Sequence, residues 1–446
     1  MEIPRSVSKD LIRWKSSPGR KPLILQGARQ VGKTWLLNHF GKDHFDRVAY
    51  FNFDRQAELK QFFETTKNPH RILQNLSIVH GKAILPQTTL IIFDEIQECN
   101  DALNALKYFN EEAPEYAIAC AGSLLGVAMS RGASFPVGKV EFLQIHPVTF
   151  AEFLSTADSS LFGYLNNMDG IEPIPDIFFN PLTDLLKMFY ISGGMPEPVV
   201  ALLENRDVEF TQKALQQILT AYTLDFSKHV EKKDIPKINH IWSSLPSQLS
   251  RENKKFLYQT IKSGARAREY EDALLWLINA GLVHRVYCSS KPSLPLSAYD
   301  ELQAFKIYLN DTGLLRRLSL LNPVAISEGN RLFTEFKGAL TENFILQSLV
   351  QQFEGLPRYW KSDGRAEVDF LVQHQNRIIP IEVKSEKNVK SKSLAFYRKA
   401  FNPDISIRYS LQNLKHEPGL INIPLFMVDY TKKILENLKP DLRLTD

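Results

Sequence analysis

The stretch Gly27-Ala28-Arg29-Gln30-Val31-Gly32-Lys33-Thr34 decides how the rest of the chain is read. It is a complete G-x-x-x-x-G-K-[ST] motif. The apolar run Leu23-Ile24-Leu25 before it reads as a strand and residues 33–40 after it as a helix, which is the context the motif requires. Its glycines let the backbone wrap around phosphates, and the amides at the helix N-terminus point at the anion. Lys33 is expected to reach the β- and γ-phosphates and Thr34 to supply a Mg²⁺ ligand. Gly27, Gln30, Val31, Gly32, Lys33, Thr34 and Trp35 form the expected cofactor-binding set.

Outward from the motif, Leu90-Ile91-Ile92-Phe93-Asp94-Glu95 is an apolar run that ends in two acids. Interior parallel strands are apolar on both faces, and ligands bind at their carboxyl ends. Asp94 is therefore expected to act at the Mg²⁺ and Glu95 to polarise the attacking water. Residues 116–121 read as a further strand ending at Gly122-Ser123. Ser123 is either a γ-phosphate sensor or a turn serine. With strands also expected at 22–26 and 48–53 and helices at 33–40 and 101–112, the first 155 residues read as a parallel α/β sheet.

The whole chain has 446 residues, 44% hydrophobic and 23% charged, which sets aside disordered and fibrous classes. Nothing approaches the roughly 18 apolar residues of a membrane span. Cys99, Cys120 and Cys288 lie in no disulfide or zinc spacing, so the expectation is a soluble, cytoplasmic protein. Net charge is only +4, but residues 228–269 hold ten basic against four acidic residues. That window is either a face for a polyanion such as DNA or a solvated helical surface.

Residues 155–181, rich in Asp, Asn, Ser and Pro, read as an excursion, and residues 182–229 as helical. Helices over 256–280, then strands over 281–287 and 305–309, give the order of a winged helix. Lys262, Arg266 and Arg268 stand at or before its last helix, where such folds face a DNA groove. A helix over 338–349 carries Glu342. Strands over 366–373 and 377–384 carry Asp369, Glu382 and Lys384, with Glu382 and Lys384 on one strand face. A hairpin would bring Asp369 beside Glu382. The group is either a Mg²⁺ site for phosphodiester cleavage or an ion-pair cluster.

Taken together, Gly27–Thr34, Asp94-Glu95-Ile96-Gln97, Ala121-Gly122-Ser123, His146-Pro147-Val148-Thr149-Phe150, Gly193-Gly194-Met195-Pro196-Glu197 and residues 305–315 resemble bacterial and archaeal AAA-superfamily ATPases with a C-terminal domain of unknown function. The C-terminal set resembles the PD-(D/E)xK nucleases, with Val368 in place of the nominal proline. The resemblance implies a P-loop NTPase core of AAA type over 1–155, a linker and helical lid over 156–235, a winged-helix element over 236–311 and a restriction-endonuclease-like α/β domain over 312–446. It implies that Gly194 and Pro196 line an adenine pocket; read alone, Gly193-Gly194-Met195-Pro196 is a helix stop. Relatives carry arginine after Gly138, where this chain has Lys139. Lysine lacks the bidentate geometry of an arginine finger, and Arg131 is the alternative. The expected ligands are ATP and Mg²⁺. The expected partners are DNA and a protein or second copy of the chain. An ATPase coupled to the nucleic-acid-associated half is expected, against an antitoxin-like signalling switch without nuclease activity.

Overall fold

The computed structural model describes residues 1–122, 136–251, 254–327, 334–385 and 391–438. It divides into two compact units. One comprises Arg5–His146 with Asn279–Leu282; the other comprises Met1–Pro4, Pro147–Ile278 and Val283–Asp446.

In the first unit, strands β1 (Leu23–Gln26), β2 (Arg47–Asn52), β3 (Thr89–Asp94), β4 (Ala117–Ala121) and β5 (Glu141–Gln144) form one sheet in the order β2-β3-β4-β1-β5. Every pairing is parallel. The run Thr-Leu-Ile-Ile-Phe-Asp of β3 is buried at every position, because parallel strands are covered on both faces. The four strands and two helices expected here are all present, within a few residues at their ends; β5 was not foreseen. Strand β4 lies between β1, which leads into the phosphate loop, and β3, which ends in the acids.

The second unit begins with helices. The expected excursion over 155–181 is a correction: it is largely helical, with helices Phe150–Ala157, Ser159–Asn166 and Asp176–Ser192. Its polar residues are helix signals. The Asp158 carboxylate accepts from the amides of Ser160 and Leu161, and just ahead of the stretch Thr149 and Glu152 form a reciprocal capping box. Helices Pro196–Asn205, Val208–His229, Ile235–Leu249, Tyr258–Ile261 and Ala267–Asn279 follow.

Strands β6 (Val283–Ser289), β7 (Asp300–Leu309), β8 (Arg358–Lys361), β9 (Glu367–His374), β10 (Arg377–Val383), β11 (Ser406–Ser410), β12 (Lys415–Glu417) and β13 (Leu420–Pro424) build an eight-stranded sheet in the order β12-β13-β11-β10-β9-β8-β6-β7. The antiparallel pair β6–β7 follows three helices, as a winged helix would order them, but the middle helix is one turn long. The pair is also no free wing: β6 joins β8 through Cys288↔Tyr359 and Ser289↔Trp360. The strands on either side of the expected boundary at 311/312 therefore share one sheet. Helix Thr334–Gln352 crosses this region, and its Asn343 side chain accepts from the amide of Leu309 in β7.

Candidate functional site

The phosphate loop is shaped by two glycines. Gly27 has φ +143°, and a Cβ there would stand 2.1 Å from the carbonyl oxygen of Ile145. Gly32 has φ +92° and caps the helix Lys33–His44. A side chain at Gly27 would clash with that carbonyl, and one at Gly32 would be strained by the left-handed backbone. Lys33 opens that helix and is 7% exposed. Its Nζ donates to the carbonyls of Gly27 and Ala28 at 2.8 and 2.7 Å. Burial pushes its ammonium down to about 8, against the pull of Glu95 and Asp94 in the other direction.

The motif and the acids meet. Thr34 Oγ1 donates to both carboxylate oxygens of Asp94, at 3.1 and 3.2 Å. A hydroxyl and one carboxylate are the hard oxygen donors that fit Mg²⁺, which takes one or two carboxylates and completes its shell with water and substrate phosphates. Glu95 leaves β3 in the left-handed region, φ +50°, and its Oε2 accepts from Gln97 Nε2 at 2.6 Å.

Three residues at this site escaped the sequence reading. Tyr50 Oη donates to Asp94 at 2.6 Å and Asn52 Nδ2 at 3.2 Å. They sit two apart on β2, and Asn52 lies opposite Asp94 in the strand register. Burial, then the bond to Asp94, raises the Tyr50 phenol to about 12. Period-two spacing on a strand beside β3 was the available signal. Arg5 donates to the carbonyls of Val31 and His146, at 3.1 and 2.6 Å, tying the loop from the N-terminal side; no motif marks it.

Trp35 is half exposed and stacks on His39 with ring centroids 4.7 Å apart. Lys139 pairs with Glu111 at 2.9 Å. Ser123 and Arg131 lie outside the described residues. Gly194 and Pro196 belong to the second unit. There the Gly194 amide donates to Asp311 at 2.6 Å, and a Cβ on Gly194 would stand 2.1 Å from the carbonyl oxygen of Val148. Close packing therefore requires this glycine whatever else it touches.

Lys262, Arg266 and Arg268 are exposed around the start of helix Ala267–Asn279. The basic window is less free than its count suggests: Lys233 pairs with Glu231, Lys237 with Asp234, and Lys254 turns inward to Glu342.

The C-terminal carboxylates do gather. Asp369 on β9 accepts from the amide of Val383 at 2.7 Å, next to Glu382 on β10. Burial, then the charges of Glu342 and Glu382, drives the Asp369 carboxyl well above its ordinary range. Lysines neutralise the group: Lys254 holds Glu342, Lys384 holds Glu382 at 2.6 Å, and the fully buried Lys306 holds Glu367 at 2.6 Å. Burial opposes the charge of Glu342, but Lys254 and Lys306 outweigh it and its pKa is lowered. Among the described residues, no three His, Cys, Asp or Glu side chains are grouped so as to hold a metal ion. As arranged, the cluster is ion-paired. The cysteines are free and buried, and no described helix is long and apolar enough to cross a membrane.

Residues 19–154 match the family model of the AAA domain. Residues 183–325 match a domain of unknown function (DUF8612), and residues 337–426 match another (DUF4143). The chain thus carries an AAA-type, P-loop ATPase-like domain. No curated protein matches it. Among solved structures, the Walker-type ATPase PABY2304 of Pyrococcus abyssi is 14% identical, with 71% of this chain and 96% of that one covered and a TM-score of 0.45. ORC1 of Aeropyrum pernix, solved in complex with DNA, is 14% identical over 73% of this chain and 95% of its own, with a TM-score of 0.27. AMPPCP-bound DnaA from Aquifex aeolicus is 14% identical over 61% and 86%, with a TM-score of 0.21. Overlap this loose transfers neither a residue nor a role.

Proposed function

We propose that the chain is a Mg-ATP-binding ATPase whose nucleotide state is passed to a nucleic-acid-associated C-terminal half. The observation that carries the ATPase reading is the contact of Thr34 with Asp94 beside a buried Lys33. In this reading Lys33 and the loop amides hold the phosphates and stabilise the charge that develops on them. Thr34 and Asp94 would hold Mg²⁺, which supplies Lewis-acid neutralisation of the phosphate oxygens. Glu95, set by Gln97, orients the attacking water. Ser123 is proposed as the γ-phosphate sensor, Gly194 and Pro196 as contributors to the adenine pocket, and Lys262, Arg266 and Arg268 as the DNA contact.

One observation favours the second reading, a signalling switch or scaffold without nuclease activity that binds ATP and contacts another protein. Glu342 and Glu382 are occupied by lysines. Steady-state ATP hydrolysis with and without single- and double-stranded DNA separates the two. The coupled ATPase is stimulated by DNA, and a triple Lys262→Ala, Arg266→Ala, Arg268→Ala variant loses that stimulation while keeping basal turnover. Its DNA affinity should also lose about 0.9 in the slope of log K against log salt for each contact removed. Basal turnover indifferent to DNA, with the variant unchanged in both affinity and slope, supports the switch.

A further inference from the structure

Residues 279–282, where helix Ala267–Asn279 turns into β6, pack with the first compact unit. Asn279–Leu282 fall in that unit beside Arg5–His146, although Ile278 before them and Val283 after them fall in the second. Within the first unit this turn meets the phosphate loop. Gly281 has φ +72°, and a Cβ there would stand 3.1 Å from the Ala28 amide nitrogen and 3.6 Å from the Gly27 carbonyl carbon. Its neighbours Ala280 and Leu282 are each 3% exposed, so the turn is anchored on both sides of the glycine.

The residues that Gly281 approaches are also the ones that Lys33 holds. Lys33 Nζ donates to the carbonyls of Gly27 and Ala28 at 2.8 and 2.7 Å. An ammonium has three N–H donors, so phosphate oxygens that draw Lys33 onto themselves compete with these two bonds. Gly281 has no side chain. Backbone therefore meets backbone, and a shift of the Gly27–Ala28 peptide finds no flexible group to absorb it.

We propose that Gly281 is a positioning residue of the phosphate loop, and that residues 279–282 are the element through which nucleotide binding bears on the C-terminal half. This rests on the Mg-ATP reading above and adds the element that carries its coupling. Chain continuity supplies the rest. Helix Ala267–Asn279, with Arg268 in its first turn, runs into the turn, and β6 leaves it for the eight-stranded sheet. Linkage is reciprocal: if nucleotide biases the turn, a change in the turn biases nucleotide affinity.

The test is calorimetric titration of Mg-ATP into the full-length parent, Gly281→Ala and Gly81→Ala, with amide hydrogen exchange of the parent measured with and without Mg-ATP. Gly81 controls for backbone strain. Its φ is also +72°, but a Cβ there meets nothing within 4 Å. The expected result is affinity weakened by about 5-fold or more in Gly281→Ala and unchanged in Gly81→Ala. Mg-ATP should also alter exchange at residues 279–282 of the parent. Equal affinity in parent and folded Gly281→Ala overturns the proposal, and so does equal weakening in the two variants. If Gly281→Ala does not fold, the parent decides: altered exchange at 279–282 supports the proposal, and exchange indifferent to bound Mg-ATP overturns it. A parent that binds no Mg-ATP removes the ATPase reading itself, a failure visible before any variant is compared.

Discussion

Lys33 bears its charge in a place that disfavours charge. Its ammonium has been brought from the ordinary 10.5 down to about 8 by burial. Between those two values the folded chain binds fewer protons than the unfolded chain, so this group makes stability rise with pH across that window. Nucleotide binding runs the other way, because phosphates favour the ammonium. Affinity for Mg-ATP should hold below about pH 8 and fall as the pH climbs past it. Binding above that point should take up protons. Calorimetry at a series of pH values, in two buffers of different ionisation enthalpy, reads both effects, and Lys33→Ala should abolish the proton uptake. Affinity that is flat to pH 9.5 or so, with no buffer dependence, would remove Lys33 from the phosphates. Lys33, Thr34 and Asp94 were legible at this scale because each motif fixes residue types at fixed spacing. Tyr50, Asn52 and Arg5 were not, since they act through a strand register and a chain crossing that no local pattern records.

At the scale of elements, Asp311 joins helix Asp176–Ser192 to helix Thr312–Leu318. Its Oδ1 accepts from the Leu314 amide at 2.8 Å as an N-cap, and its Oδ2 accepts from the Gly194 amide at 2.6 Å just beyond the first helix. Asp311→Ala loses both bonds and leaves a buried amide unpaired, which should destabilise the chain by roughly 2–4 kcal/mol. Asp311→Asn keeps an acceptor and should lose less. Urea unfolding measures the difference, and an alanine midpoint equal to that of the parent would show that the junction does not depend on Asp311. Such devices explain the errors of the sequence reading. Asp158 looked like a loop residue because its side chain favours turns, yet the same chemistry caps a helix. The later strands β11, β12 and β13 were not foreseen, because runs as short as Lys415–Glu417 carry too few residues to show a period.

For the whole molecule, four of the five strands of the first sheet were legible because they are mainly apolar runs separated by helical ones, and the family comparison agrees over residues 19–154. The second was only partly so. Joining β6 to β8 brings together residues some seventy positions apart in the chain, and pairing at that distance leaves no mark on local sequence. The same holds for Lys254 and Glu342, whose contact turns an apparent surface charge into a buried ion pair. The central proposal stays with the first sheet: that this chain binds Mg-ATP through Lys33. Titration calorimetry of Mg-ATP into the parent and into folded Lys33→Ala tests it most directly. Saturable binding by the parent, weakened roughly 10–100-fold or more in the variant, is the predicted result; equal affinity in the two, or no binding by the parent, would contradict it.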